Sequence, residues 1–96
     1  MSEQLNDIIH QPTRTRILVY LAAHDSLDFN TLKSELKLSD GQIATQMRLL
    51  EGAGYVSVEK TFVNRKPRTS YSLTQEGREK FNLYLESLAE ILRSCS

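Results

Sequence analysis

The sequence predicts a mostly helical α+β domain, and three observations carry that expectation. Two short amphipathic helices are separated only by "KLS" (Lys37–Ser39), a connection tight enough to make them a helix-turn-helix. From Tyr55 the apolar period changes from helical to alternating, and it does so in two runs that flank a polar tip. A last helix then carries six large apolar residues in one stripe, from Phe81 to Leu92.

A chain of 96 residues with 40% hydrophobic content can bury one modest core, so a single domain over 1–96 is expected, completed where necessary by dimerisation. Residues 12–74 would form the helix-turn-helix and hairpin, and 75–95 the closing helix. Apolar runs such as Ile17–Leu21 are too short for a membrane span, and no basic segment followed by a long apolar run marks a signal peptide. The lone Cys95 cannot form an internal disulfide, and no Cys/His cluster suits zinc. A cytoplasmic protein without metal or cofactor is the expectation. Twelve basic residues balance twelve acidic ones, yet Lys60, Arg65, Lys66 and Arg68 all fall in the acid-free interval between Glu59 and Glu76. A neutral chain with one basic segment can still set positive charge against phosphates.

Along the chain, Leu5, Ile8 and Ile9 form a small apolar patch that suits a helical turn or two packed on another surface. Pro12 or Thr13 opens the first helix, Ile17, Leu18 and Leu21 give it a buried face, and it should end near His24 and Asp25. "SLDF" reads as a short extended piece. Asn30 is the expected cap of the second helix, with Leu32 and Leu36 inward. The third helix, about 40–53, begins after Ser39, which together with Gln42 fits the S-x-x-Q capping box; Gly52 and Gly54 mark its end.

The run from Tyr55 places Val56 and Val58 on one side, and "TSYSL" places Thr69, Tyr71 and Leu73 on one side, so an antiparallel hairpin with "VNRKPR" at its tip is the simplest reading. Asn64 suits a left-handed turn position and Pro67 stiffens the return. Thr74 caps the last helix, with Glu76 in its first turn. Phe81, Tyr84, Leu85, Leu88, Ile91 and Leu92 span an arc of roughly 120° at helical spacing. Roughly 20 residues reach roughly 30 Å, further than so small a domain can cover, so the far half is expected to meet a second copy.

In this order and spacing, "PTRTRILVYL", "LSDGQIATQMRLLEGAGYVSVEK" and "SYSLTQEGRE" resemble the winged-helix transcriptional regulators of the MarR-like and ArsR-like type, over roughly residues 12–80. The likeness is greatest to small stand-alone members whose wing carries a basic-Pro-basic segment, here "RKPR". The resemblance implies a winged helix-turn-helix with a long C-terminal dimerisation helix, acting as a homodimer on double-stranded DNA to regulate transcription. The third helix would read the major groove, and the wing, 62–68, would lie on the minor groove or its phosphates through Asn64, Arg65, Lys66 and Arg68. Metal-sensing relatives need cysteine pairs or His/carboxylate clusters that this sequence lacks, and the helices that frame effector pockets are reduced.

Helical geometry alone says which residues of the third helix face outward. Ile43, Met47 and Leu50 fall within about 60° of one another and form the buried edge. Gly41, Gln42, Thr45 and Arg48 lie opposite, with Ala44 and Gln46 on the flanks. Gln can bond adenine edges, Thr a base or a thymine methyl, and Arg guanine or phosphate. Gly41 lets the first turn approach a phosphate backbone closely. Leu49 also falls on the outward side, where the strand from Tyr55 is expected to cover it. Asp40 reads as a capping charge, with cytosine recognition as the alternative. Arg14 and Arg16 either touch phosphate or pair with internal carboxylates. The dimer interface would draw on Leu5, Ile8, Ile9, Phe81, Tyr84, Leu85, Leu88, Ile91 and Leu92.

Two other function classes compete. A winged helix can serve as a protein–protein interaction module without touching DNA, which the near-neutral charge favours slightly. An enzyme is not expected: His10 and His24 lack partners at a recognisable spacing, and there is no Gly-rich phosphate loop. Cys95, beside the apolar stripe, reads as a terminal thiol, with an intersubunit disulfide as the alternative.

Overall fold

The computed structural model describes residues 5–95, in which four helices surround a small three-stranded sheet. Helix α1 (Pro12–Ala22) starts with proline in its first turn, and the Gln11 side chain accepts the Arg14 amide at 2.7 Å. It stops two residues short of the expected end, where the Ala23 amide turns back to the Tyr20 carbonyl. Strand β1 is only Leu27–Asp28, and helix α2 (Phe29–Leu36) follows at once. The α2 cap is Asp28, not Asn30. Its carboxylate takes the Thr31 amide at 2.7 Å while β1 is held in the sheet, so helix and strand meet at that residue.

Lys37 turns the chain at φ 55°, a left-handed conformation usually given to glycine or asparagine, and the Leu38 amide returns to the Lys33 carbonyl at 3.1 Å. Only three residues, 37–39, therefore separate α2 from helix α3 (Asp40–Gly52), and the Ser39/Gln42 capping box is present in both directions. At its end Gly54 adopts φ 82° and the Tyr55 amide reaches the Leu50 carbonyl at 3.0 Å.

Strands β2 (Val56–Val63) and β3 (Lys66–Leu73) pair antiparallel from Val56↔Leu73 to Val63↔Lys66, and β1 joins the other side of β3 through Leu27↔Tyr71. The sheet order is β1-β3-β2. Asn64 and Arg65 form a two-residue connection with φ 53° and 65°, the type I′ geometry whose twist matches the strands.

Helix α4 (Gln75–Cys95) is anchored by Thr74. Its hydroxyl donates to the Gly54 carbonyl at 2.6 Å and accepts the Gly77 amide at 2.9 Å, while its own amide bonds the Tyr55 carbonyl at 3.0 Å. That junction brings the α4 backbone so close that a Cβ on Gly77 would lie 2.0 Å from the Tyr55 oxygen. Only glycine fits there.

One core unites the described residues. Ile17, Leu18 and Leu21 of α1, Leu32 and Leu36 of α2 and Ile43, Met47 and Leu50 of α3 meet Tyr55, Val56 and Tyr71 of the sheet. Ile9 is fully buried in that core, delivered by a turn in which the Asn6 side chain accepts the amides of Ile8 and Ile9. Phe81 and Tyr84 close it from α4, and among the described residues none beyond Tyr84 is buried. The described residues measure 53 × 25 × 21 Å. Their radius of gyration is 14.6 Å, against about 12.5 Å for a compact chain of this length.

Candidate nucleic-acid interface

The buried edge of α3 is the expected one, Ile43, Met47 and Leu50, and it fixes what the other edge presents. Gly41, Gln42, Ala44, Thr45 and Arg48 are exposed, and Gln46 is half-buried at the flank. Leu49 is not covered by β2 but 47% exposed, an apolar side chain within a polar edge. Asp40 lies 2.7 Å from Lys33 of α2, so its charge is balanced across the tight turn. Among the described residues Arg48 forms no ion pair, which leaves its charge available.

Both glutamines of α3 are tied internally. The Gln42 side-chain oxygen accepts the Ser39 amide at 2.9 Å. The Gln46 side-chain oxygen accepts from the Arg14 guanidinium at 2.8 Å, and the Nε of the same Arg14 donates to the Ile8 carbonyl. Arg14 thus fastens the N-terminal turn to α3. Arg16 donates to the Leu36 carbonyl at 3.1 Å. Among the described residues neither arginine pairs with a carboxylate, the internal role weighed from sequence; main-chain and amide oxygens accept from them.

The hairpin projects, with every residue from Glu59 to Arg68 exposed. Arg65 sits at the very turn, and Lys66 follows it. Neither forms an ion pair among the described residues. Arg68 differs: its guanidinium meets Asp28 at 3.1 Å, at the base of the wing. The Asp28 carboxyl is held below its ordinary range mainly by the Thr31 hydroxyl and amide, with a smaller contribution from the Arg68 charge against the opposing effect of burial. A shallow cleft of about 290 Å³ lies beside this pair, lined by Phe29, Pro67 and Thr69 among others. Phe62, cross-strand from Pro67 and 76% exposed, adds an aromatic ring to the wing that charge patterning did not bring out. The only sequence signal for it was an aromatic residue next to a turn.

The residues expected at a dimer interface divide in two. Ile9, Phe81 and Tyr84 are buried in the protomer's own core and have no surface left for a partner. Leu85 and Leu92 are exposed, at 44% and 71%, while Leu88 and Ile91 are partly covered. Leu5 and Ile8 are half-buried against the core. His10 bonds the Tyr84 hydroxyl through Nδ1 at 2.9 Å, tying the N-terminal segment to α4. Cys95 is exposed. No helix among the described residues is long and apolar enough to cross a membrane, and no group of three His, Cys, Asp or Glu among them could hold a metal ion.

Comparison with known proteins gives a consistent result. A family model described as a winged helix DNA-binding domain matches residues 13–92. An uncharacterized protein of Methanocaldococcus jannaschii is 28% identical over 87 residues, which covers 91% of this chain and 95% of that protein. Among solved structures, a transcriptional regulator homologue from Pyrococcus horikoshii OT3 matches with a TM-score of 0.88 at 28% identity, over 93% of this chain and 88% of that one. The transcriptional repressor CouR, solved bound to a 23-mer DNA duplex, matches with a TM-score of 0.72 at 20% identity, over 86% of this chain and 63% of that one; at that identity the likeness concerns the fold.

Proposed function

The chain belongs to the winged helix DNA-binding domain family, and from that premise we propose that it regulates transcription as a homodimer that binds double-stranded DNA sequence-specifically. Helix α3 enters the major groove. Thr45 and Arg48 contact base edges or phosphate there, Leu49 packs on a thymine methyl, and Gly41 admits the backbone closely. The wing, 62–68, follows the minor groove or the adjacent phosphates through Asn64, Arg65 and Lys66. Arg68 contributes at its base, and Arg16 from α1.

The observation that carries this reading is the contrast between the two edges of α3. Ile43, Met47 and Leu50 are at most 2% exposed and lock the helix in place, while Gly41, Ala44, Thr45 and Arg48 on the other edge are exposed. A rigid scaffold with a bare polar edge is what groove reading requires.

The exposed Leu85 and Leu92, with Leu88 and Ile91 between them, support a second copy packed along the far half of α4. Two recognition helices related by a two-fold axis would then read half-sites roughly 34 to 36 Å apart, one helical turn of DNA.

Selection of bound duplexes from a random pool, followed by footprinting and a salt titration, tests the proposal. A two-fold symmetric site is expected, with affinity falling steeply as salt rises. Sedimentation of the free protein should give the mass of two chains. If no duplex is retained even at low salt, the chain is instead a protein-interaction module on the same fold.

A further inference from the structure

We propose that Phe62, paired with Pro67, is an apolar wedge that the wing presses into a base-pair step from the DNA minor groove. It opens the step, bends the duplex and makes the wing selective for easily unstacked steps without any hydrogen bond to a base. The inference deepens the DNA-binding reading and rests on it.

Phe62 is 76% exposed, the most open large hydrophobic side chain among the described residues. Pro67 stands directly across from it, one pair short of the Val63↔Lys66 pair that closes the hairpin. Side chains alternate along a strand, so Phe62 lies on the same side of β2 as Val56 and Val58, which pack into the core that α3 shares. The ring therefore continues the inner face of the sheet past the point where the body covers it. Lys60 precedes it on that face, and Arg65 and Lys66 follow at the turn. None of these three cations forms an ion pair among the described residues. The mount is stiff: Asn64 and Arg65 hold the turn at φ 53° and 65°, and the proline ring fixes the β3 backbone opposite the phenylalanine.

An exposed ring set among cations suits a partner that offers negative charge at the rim and an apolar slot within. A stable protein interface buries roughly 800 Å² on each side, whereas one phenylalanine offers roughly 150 to 250 Å², and its neighbours on the inner face, Lys60 and Thr69, are polar. A base-pair step matches that size: phosphates flank it, and its walls are sugars and base faces. Apolar side chains that enter from the minor groove unstack such a step and kink the duplex by about 20 to 90°. The cost is least at pyrimidine–purine steps, TA and CA/TG, so a wedge reads sequence as deformability. The opposing gain is burial of a ring that the free protein leaves in water, together with closer approach of Arg65 and Lys66 to the phosphates.

The test compares the wild type with Phe62→Ala, which removes the wedge, and Phe62→Leu, which keeps one. Duplexes that the wild type selects from a random pool should carry a pyrimidine–purine step beside the bases that face α3. Exchanging that step for the stiff AA step of an A-tract should weaken the wild type and Phe62→Leu by roughly five- to a hundredfold and leave Phe62→Ala nearly indifferent, while all three keep the same preferences at the bases facing α3. 2-Aminopurine placed in the step should brighten when the wild type or Phe62→Leu binds and stay quenched with Phe62→Ala. Energy transfer between dyes on the duplex ends should report a bend of about 20° or more, lost in Phe62→Ala alone. Straight DNA in the wild-type complex, or a bend and step preference that survive in Phe62→Ala, would overturn the inference while leaving DNA binding intact. So would sedimentation in which Phe62→Ala falls from two chains to one, because the ring would then belong to a contact between copies. Absence of wild-type binding to any duplex would overturn both.

Discussion

Arg68 of the wing and Asp28 of β1 meet at 3.1 Å, so the base of the hairpin is joined to the first turn of α2 by an ion pair as well as by the sheet. The same carboxylate caps α2 through the Thr31 amide. One residue therefore sets both where α2 begins and how the wing leaves the body.

This arrangement predicts a pH dependence. The Asp28 carboxyl is depressed in the folded protein, chiefly by the Thr31 bonds and then by Arg68, so it binds a proton less readily folded than unfolded. Its stabilising contribution is present above the unfolded value of about 4 and is lost as pH falls through the lower folded value. Urea melts between pH 3 and 7 should show Asp28→Asn less stable than wild type at neutral pH, by under about 1 kcal/mol because the pair is half-exposed. The difference should close in acid. A gap that widens as pH falls would contradict this.

Arg65 occupies a left-handed turn position where glycine is more comfortable by roughly 1 kcal/mol. Arg65→Gly should therefore raise the melting temperature slightly while lowering affinity for every duplex and reducing the salt slope by about one unit. Stability and binding moving in opposite directions is the signature of a side chain placed for contact.

Gly77→Ala sets two effects against each other. Alanine favours helix by about 1 kcal/mol, but its Cβ would stand 2.0 Å from the Tyr55 carbonyl, which is main chain and cannot swing aside. The clash should win, with a net loss of about 1 to 3 kcal/mol in denaturant unfolding.

Thr45 is exposed on the reading edge, and exchanging it for valine keeps its shape. Thr45→Val should cost roughly 1 to 3 kcal/mol on the preferred operator and almost nothing on unrelated duplexes. Equal losses on both would remove Thr45 from base recognition.

Elements bounded by local chemistry were readable from the chain. The Ser39/Gln42 box and the glycine at 54 delimit α3, and alternation with Asn64 at the turn delimits the hairpin. What escaped depends on partners far apart in sequence. Asn30 and Asp28 are both good caps, and β1 pairing with β3 decides for Asp28. The Gln46–Arg14 bond spans 32 positions, and the need for glycine at 77 arises only from the approach of Tyr55. A helical wheel places Phe81 and Leu92 on the same arc but contains no information on where along the axis the protomer's body ends. Full burial ends with Tyr84 and Leu88 packs only partly covered against the core, while Leu85 and Leu92 of the same stripe are exposed.

The bare stretch of α4 has a consequence for motion. About three turns with no buried side chain are too few to hold themselves helical in water, so their order would depend on whether another chain lies alongside. Amide hydrogens from Leu88 to Cys95 should exchange with solvent slowly in concentrated samples and quickly on dilution, while those of Phe81 and Tyr84 remain protected at both extremes.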